Sequence, residues 1–431
     1  MNLQSKTGIN KVAEWSGIAA MFFFVFIFPY SQRMAVAGVV VYFAVTLVGN
    51  KRESILLRDV PVSLWAVIIF YLLHCISMLY SDNHIYGLRD LETKMGLLLF
   101  SLASIIIPRT KGETAWFSKV FIASACLAII VCLVHSFTLF LETRDLKVFY
   151  YDSFSFLMHP TYFTMLLNIA FLLLLFSSRV QILSLPFKIV HHKIYFLILA
   201  AVVLTSSRAG LVIFFITSSA YLIYLYGSDT RKVLKQLFIF TISLALLFGG
   251  VMLSNPESRF GILMNEALGR SQDSVNIDES KVDVNPLSHR LQLWQTAWHL
   301  IKKYPLGTGN GDIQDVLVQE YDRTGFKKAS DVRYNPHNQY LQTWLAIGIP
   351  GVISLMFVFF GNAFKPRRAP IIYFFLASVV ALNGLFESVL EVQRGVLLFS
   401  FILLFFSVAS QSSPSEEGKK SLHAGQDPGN L

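Results

Sequence analysis

The sequence contains few of the residues that form covalent or metal cross-links. Only three cysteines occur, Cys75, Cys126 and Cys132, and all of them lie within apolar runs. Their spacing gives no disulfide or zinc pattern, so we interpret them as packing residues. The chain also has no His-x-x-x-His pair, no acidic pair with metal-ligand spacing and no serine nucleophile motif. These absences predict chemistry without a metal or a cofactor.

Charged residues are scarce as well, at 15% of the chain, whereas 54% of the residues are hydrophobic and 14% are aromatic. Soluble domains have about 45–50% apolar residues. The mean hydropathy of +0.55 therefore indicates a polytopic membrane protein. The net charge of +9 would favour nucleic acid as a partner of a soluble chain, but in a membrane protein it is first a question of which face carries the positive residues. We expect no nucleic-acid partner.

Apolar runs of roughly 17–25 residues are typical of membrane-spanning helices. By this criterion the sequence predicts an all-α fold with about twelve spans. The predicted domains are a bundle over 1–253 with the first nine spans, a loop over 254–336, a second membrane segment over 337–411 and a disordered tail over 412–431. The predicted spans are about 15–30, 34–49, 60–79, 95–108, 117–141, 156–177, 193–206, 209–227, 235–253, 338–362, 370–387 and 394–411.

The basic residues predict the orientation of these spans. With the N-terminus inside, every inner segment carries a basic cluster, for example Lys51, Arg52 and Arg58, as the positive-inside rule requires. Both termini are therefore expected in the cytoplasm, and residues 254–336 outside. The first apolar run lacks a small-residue cleavage site, so we interpret it as a retained span.

The long loop is polar over 254–285, with a stretch over 271–283 expected to be mobile. Asn285 and Pro286 then begin an amphipathic helix, which the run over 305–312 ends. That run contains a Gly-x-Gly-x-Gly pattern, but no strand precedes it, so we favour a tight turn over a nucleotide site.

The stretch 335–351 predicts the start of a membrane helix with a histidine at its mouth. Asn335 suits an N-cap and Pro336 the first helical position, which would put His337 within the first turn. Gly348 and Gly351 share a face with His337 and would let another helix approach closely. His337 is then either a general base beside a phosphate or a histidine that only hydrogen-bonds a loop carbonyl.

Further candidates come from distant parts of the chain, and the predicted topology places all of them at the face of His337. Each also has an interpretation without a role in catalysis: Arg208 could snorkel to lipid headgroups, Arg290 could pair with a carboxylate of its loop, and His159 could be structural. Glu387 and Glu391 are either a solvated pair or include the carboxylate that orients His337 or an arginine. Together with Arg394, these groups indicate metal-free acid/base chemistry on a phosphate-bearing substrate.

The sequence resembles the O-antigen ligase and polymerase superfamily of bacterial envelope glycosyltransferases. The motif is a histidine followed by Asn, Ser or Gln, nine residues, and Gly-x-x-Gly, which His337, Asn338, Gly348 and Gly351 match here. Ser207-Arg208 before a small residue also resembles the family pattern. So does Arg290, which is followed by Trp294 and then by Pro305-Leu306-Gly307.

The resemblance implies a GT-C-like glycosyltransferase bundle in the bacterial inner membrane with a periplasmic active site. Such an enzyme takes a glycan from undecaprenyl diphosphate and passes it, with inversion, to an acceptor hydroxyl. His337 would act on that hydroxyl, and Arg208, Arg290 and Arg394 would hold the diphosphate. Asn338, Glu387, Glu391 and His159 would support them, and no metal, nucleotide or other cofactor would be needed.

Within the superfamily, one large outer loop favours a ligase that uses lipid A core over a polymerase or a protein O-oligosaccharyltransferase. A transporter of lipid-linked glycans is an alternative from another class, but it would be expected to place charges near the bilayer midplane and to show internal repeats. A non-catalytic assembly partner is a third possibility.

Overall fold

The computed structural model describes residues 19–49, 59–106, 111–180, 188–254, 286–364 and 370–408. Every regular element within these ranges is a helix, which confirms the all-α prediction for this part of the chain. The predicted tail over 412–431 and the polar stretch over 255–285, including the 271–283 segment, lie outside the described residues. The predicted division into domains stays a prediction.

The helices of the described ranges are numbered here in chain order. The first half of the chain contains α1 (19–27), α2 (Gln32–Gly49), α3 (Val62–Ser77), α4 (His84–Ile106), α5 (Lys111–Thr143), the short α6 (Tyr151–Phe154) and α7 (Pro160–Val180). The remaining helices of the described ranges are α8 (Lys188–Leu204), α9 (Arg208–Tyr226), α10 (Thr230–Ser254), α11 (Pro286–Lys303), α12 (Ile313–Arg323), α13 (Lys327–Val332), α14 (Gln339–Phe360), α15 (Ile371–Asn383) and α16 (Gln393–Phe406).

Six helical segments in the described ranges are long and apolar enough to cross a membrane: Val62–Tyr80, Glu113–Thr143, Pro160–Ser177, Arg208–Tyr226, Thr230–Gly250 and Gln339–Phe364. Three shorter apolar helices, His192–Leu204, Ile371–Asn383 and Gln393–Phe406, coincide with further predicted spans. A membrane protein with several spans is thus established, while the number of about twelve spans stays a prediction.

The helix that contains most of the fourth predicted span begins well before that span. We expected it over 95–108, but α4 begins at His84 and includes the charged residues Asp90 and Lys94. These two residues lie four positions apart and form an ion pair within the helix. Their mutual compensation allows a helix to continue through a stretch that hydropathy assigns to a loop.

The bundle is held together by apolar packing and by a few buried polar contacts between helices. Helix α7 is largely buried and packs against α5, α8, α9 and α15, whereas α14 packs against α3 and α16 against α4. Asn168 of α7 donates to the hydroxyl of Thr217 in α9 at 3.0 Å. Such side-chain hydrogen bonds fix the register of helices whose other contacts are apolar.

Helix α14 is kinked, and the kink is explained by its sequence. Pro350 has no N–H group, and Gly348 adopts a left-handed φ of 71°, so the carbonyls of Leu345 and Ala346 lose their helical donors. The backbone N–H groups of Thr308 and Gly309 replace those donors, at 2.7 and 3.1 Å. The kink therefore binds the turn that follows α11.

The glycine run over 307–311 is a tight turn that docks between α14 and the α3–α4 connection. A Cβ atom at Gly307 would lie 2.7 Å from the Ala346 carbonyl oxygen, and one at Gly311 would lie 2.4 Å from the Asn83 carbonyl oxygen. We expected Gly348 to admit a second helix. Instead it admits the backbone of Leu306, 2.6 Å from where a Cβ would lie.

Two helices of the loop were not predicted. After the turn, α12 and α13 fold against the bundle, and Asp312 accepts hydrogen bonds from the backbone N–H groups of Asp82 and Asn83 at 2.8–3.0 Å. Asp315 accepts from Asn83 at 2.7 Å and from Arg333 at 2.7 Å, which holds the pKa of Asp315 below its ordinary value. We call the end of the bundle where α3 ends and α4 and α14 begin the site end.

We predict that Gly307→Ala and Gly348→Ala each destabilise the protein by about 1–3 kcal/mol, because a methyl group there overlaps backbone atoms and both residues have positive φ. Thermal unfolding in detergent measures the effect. Gly325→Ala is the matched control, because Gly325 also has positive φ, at 74°, but open space around it. Equal losses in all three variants would show that strain alone, and not docking of the turn, is responsible.

Candidate active site

The N-cap of α14 is Asn338, three residues later than the sequence suggested. Its side-chain oxygen accepts from the backbone N–H groups of Tyr340 and Leu341 at 2.9 and 3.1 Å, and the helix begins at Gln339. The prediction that Asn335 caps this helix and that His337 lies in its first turn was therefore wrong. Two asparagines near the helix start compete for the cap, and the later one forms it.

His337 precedes the helix in a left-handed conformation with φ of 47°. Asn335 supports that conformation, because its side-chain oxygen accepts from the His337 N–H at 2.9 Å. The imidazole Nδ1 lies 3.0 Å from Oε1 of Glu387, and the His337 side chain is 28% exposed. A positive φ at a residue other than glycine strains the backbone, and such strain is often found at functional sites.

Glu387 lies in the turn between α15 and α16, and its side chain is 12% exposed. Burial raises its pKa, but the hydrogen bond with His337 and electrostatic interactions with His337, His159 and Arg290 more than offset this, so that the pKa lies below the ordinary 4.5. Glu387 is therefore a carboxylate near neutral pH. Because a carboxylate only accepts hydrogen bonds, the proton in this contact belongs to Nδ1 of His337.

Glu391 faces away from His337 and is bound in the interior. Its Oε2 atom lies 2.7 Å from Nζ of Lys94, and its Oε1 atom accepts from the amide of Gln339 at 3.0 Å. The two carboxylates do not lie on one α-helix, because Glu387 lies in a turn and Glu391 ends a short 3₁₀ segment before α16. The structure also excludes the solvated pair and leaves the interpretation in which one carboxylate orients His337.

Arg290 and His159 both interact electrostatically with the carboxylate of Glu387. Arg290 lies half-buried in the first turn of α11, and His159 is an exposed residue that precedes α7. The backbone carbonyl of His159 accepts from the N–H groups of Tyr162 and Phe163, so that His159 caps α7. Both residues are close enough to Glu387 to lower its pKa, and the structure thus brings four predicted residues together.

Arg394 lies in the first turn of α16 and donates from Nη2 to the carbonyl oxygen of Leu157 at 3.0 Å. This contact joins α16 to the segment that carries His159. Arg394 is therefore engaged with the backbone of its own fold, and its role toward a diphosphate stays a prediction.

Arg208 is the first residue of α9, and Ser207 caps this helix by accepting from the Gly210 N–H at 3.3 Å. Gly210 packs closely on α7, because a Cβ atom there would lie 2.7 Å from Thr164. Thr164 is one turn after Pro160, so Arg208 lies at the same end of the bundle as His159. Its contact with a substrate stays a prediction, as does that of Arg290.

Three polar residues of the site were missed from the sequence: Gln339, Asn335 as a support of His337, and Lys94. A signal for Gln339 was present, since a buried glutamine opens an otherwise apolar helix. A signal for Lys94 was its spacing of four from Asp90. Among the described residues, no group of three His, Cys, Asp or Glu side chains has a geometry that could hold a metal ion.

The arrangement can perform general base chemistry. A carboxylate that fixes Nδ1–H of an imidazole leaves the lone pair on Nε2, and it stabilises the imidazolium that forms when Nε2 takes a proton. The cations Arg290 and Arg208 lie at the same end of the bundle and are suited to a phosphate. Both halves of an acid/base and anion site are therefore present.

Comparison with known proteins agrees with this geometry. Residues 194–356 match a family model described as O-antigen ligase. The matched stretch is less than half of the chain and contains Arg208, Arg290 and His337, whereas Glu387 lies beyond it. No curated protein matches the sequence. The match over residues 194–356 therefore supports a relationship to the O-antigen ligase and polymerase superfamily.

Proposed function

We propose that the protein is an O-antigen ligase-type glycosyltransferase that moves a glycan from undecaprenyl diphosphate to a hydroxyl of lipid A core. The observation that carries this proposal is the 3.0 Å contact between Nδ1 of His337 and Oε1 of Glu387, formed beside Arg290 and His159. The family match supports a glycosyltransferase of this superfamily and leaves donor and acceptor to the proposal.

In the proposed reaction, Nε2 of His337 takes the proton of the acceptor hydroxyl. The hydroxyl oxygen forms a bond with the anomeric carbon while the bond from that carbon to the diphosphate oxygen breaks. Attack from the side opposite the leaving group inverts the sugar. Undecaprenyl diphosphate leaves with the bonding electrons, and Glu387 stabilises the imidazolium until its proton is lost to water.

The arginines lower the barrier by neutralising the leaving group. Diphosphate leaves readily once its charge is balanced, so electrostatic stabilisation contributes a large part of the rate enhancement. We expect Arg290 and Arg208 to contact the diphosphate directly, because a planar guanidinium binds phosphate oxygens in a bidentate manner. No metal, nucleotide or ATP takes part in this scheme.

The proposed location is the bacterial inner membrane, with both termini in the cytoplasm and the site end at the periplasmic face. The support for this orientation is the distribution of basic residues along the sequence. Lipid-linked glycans and membrane lipids would then reach the site from the bilayer, and the acceptor from the periplasmic leaflet.

The experiment that tests the function uses purified protein, an undecaprenyl-diphosphate oligosaccharide and three acceptors: lipid A core, the same glycan on its carrier, and a serine-containing peptide. Mass spectrometry identifies the product. We expect glycan on lipid A core. Product on the carrier would identify a polymerase and product on the peptide a protein oligosaccharyltransferase, and movement of intact donor across vesicles without any product would identify a transporter.

For His337→Ala we predict normal insertion and folding with a decrease of turnover by about 10²–10⁴-fold, because the proton acceptor is lost. His299→Ala, which changes an exposed histidine of α11, is the control and should retain full turnover. Full turnover by the His337 variant would exclude the proposed base.

For Glu387→Gln we predict a decrease in kcat of about 10²–10⁴-fold with little change in KM. The glutamine amide can donate to Nδ1 and so favour the tautomer whose Nε2 carries the proton, which is unable to accept another. Glu320→Gln is the matched control, because Glu320 is also a mostly buried, hydrogen-bonded glutamate but lies in α12. A variant with wild-type kcat would rule out orientation by this carboxylate.

The stability of the folded protein should depend on pH through the contact between Glu387 and His337. Because the pKa of Glu387 is lowered in the folded protein, its contribution is fully present above the ordinary value of 4.5 and is lost as the pH falls through the lowered value. The difference in unfolding midpoint between wild type and Glu387→Gln should therefore be constant at higher pH and shrink in acid. A difference that grows in acid would contradict the assigned ionisation.

For Arg208→Ala and Arg290→Ala we predict donor binding weakened by about 10- to 100-fold, because one charge-assisted contact to the diphosphate is removed. Acceptor binding should change less. Titration with a diphosphate lipid measures this, and Arg323→Ala, which removes an exposed arginine paired with Glu320, is the control. Unchanged donor affinity in both variants would count against the proposed diphosphate site.

A further inference from the structure

A fully buried lysine lies beneath the candidate active site. The side chain of Lys94 in α4 is 0% exposed, and its Nζ atom contacts Asp90 in the same helix and Oε2 of Glu391, the latter at 2.7 Å. We call Asp90, Lys94 and Glu391 the buried triad. Ionisable groups within a membrane bundle are costly, and they are most often kept for a function.

The triad is connected directly to the first residue of α14. Lys94 holds one carboxylate oxygen of Glu391, and the Gln339 amide donates to the other at 3.0 Å. The side-chain oxygen Oε1 of Gln339 in turn accepts from the Leu390 N–H at 2.6 Å. Both oxygens of Glu391 are therefore engaged, and its side chain is fixed between α4 and α14.

The same two segments carry the two members of the proposed dyad. Gln339 follows His337 by two residues, and Glu391 follows Glu387 by four. The backbone N–H of Gln339 donates to the Gly384 carbonyl at 2.7 Å, and the Asn338 amide donates to the Leu385 carbonyl at 3.1 Å. Contacts at both ends of the 384–391 turn thus determine where Glu387 meets His337.

Stability alone is a weak explanation for the triad. Buried ion triads can often be replaced by neutral residues of similar volume without loss of stability, because desolvation costs about as much as the attraction returns. Geometry offers a stronger reason, since a displacement of about 1 Å in a catalytic group can cost on the order of 10²-fold in rate.

We propose that Lys94 is a positioning residue: by holding Glu391 against Gln339, it keeps Glu387 in hydrogen-bonding register with His337. The inference rests on the proposed function of that dyad. Lys94 itself touches no substrate in this scheme, and it acts only through the 384–391 turn.

The test uses a neutral triad, Asp90→Asn/Lys94→Met/Glu391→Gln, which removes all three charges without leaving one buried and unpaired. We expect it to fold, with an unfolding midpoint near that of wild type. We expect kcat to fall on the order of 10–100-fold, with KM for donor and acceptor within about twofold. A folded neutral triad with wild-type kcat would overturn the proposal.

A mutant cycle separates positioning from a general loss of structure. If the triad acts through the dyad, the same three substitutions should cost little further rate in a Glu387→Gln background. A loss of equal size in both backgrounds would overturn the proposal. Gln339→Met provides a second test if the neutral triad does not fold, because it breaks the link between Glu391 and α14 and leaves the three charges in place. We expect it to lower kcat without changing KM. An unchanged kcat would contradict the proposal.

The failure of this inference is distinguishable from failure of the proposed function. Absence of glycan transfer by wild type, or full transfer by His337→Ala, would remove the function itself. Transfer by wild type that His337→Ala abolishes, together with an additive mutant cycle, would leave the function intact and remove only the role of Lys94.

Discussion

The contact between His337 and Glu387 is the interaction on which the rest of the site depends. It joins the residue before α14 to the turn between α15 and α16, and it assigns the imidazole proton to Nδ1. Without it, the cations around the site would form an anion-binding surface with no proton acceptor. With it, an acid/base pair and positive charge occur at one end of a helical bundle, as the proposed transfer from a diphosphate would require.

The kink of α14 explains how the helices α11, α12 and α13 become part of that end. Pro350 and Gly348 free two carbonyl groups, and the turn after α11 satisfies them. An unsatisfied carbonyl within a membrane bundle would cost several kcal/mol, so the kink and the turn require each other. This pairing fixes α11, and hence Arg290, relative to the start of α14. If the turn were not bound to α14, Arg290 would have no fixed position relative to His337.

The sequence predicted the type of fold and named candidate residues for the site, but it did not predict the geometry of those residues. Apolar runs indicated several of the membrane-spanning helices, because a helix that crosses a bilayer must be long and apolar. His337 was a candidate, but the sequence predicted that its helix begins after Asn335, because Pro336 suits a first helical turn. The structure instead places the cap at Asn338, where the carbonyl groups of Leu385 and Gly384, from a distant part of the chain, accept hydrogen bonds from Asn338 and Gln339. Lys94 was assigned to a loop, because its partner Glu391 is almost three hundred positions away.

The most direct test of the account is a structure determined by electron cryomicroscopy of the protein with an undecaprenyl-diphosphate oligosaccharide. The account predicts the diphosphate in contact with Arg290 and Arg208, the anomeric carbon on the side of His337, and the contact of Nδ1 with Glu387 retained. A diphosphate bound elsewhere in the bundle, with His337 remote from the sugar, would contradict it.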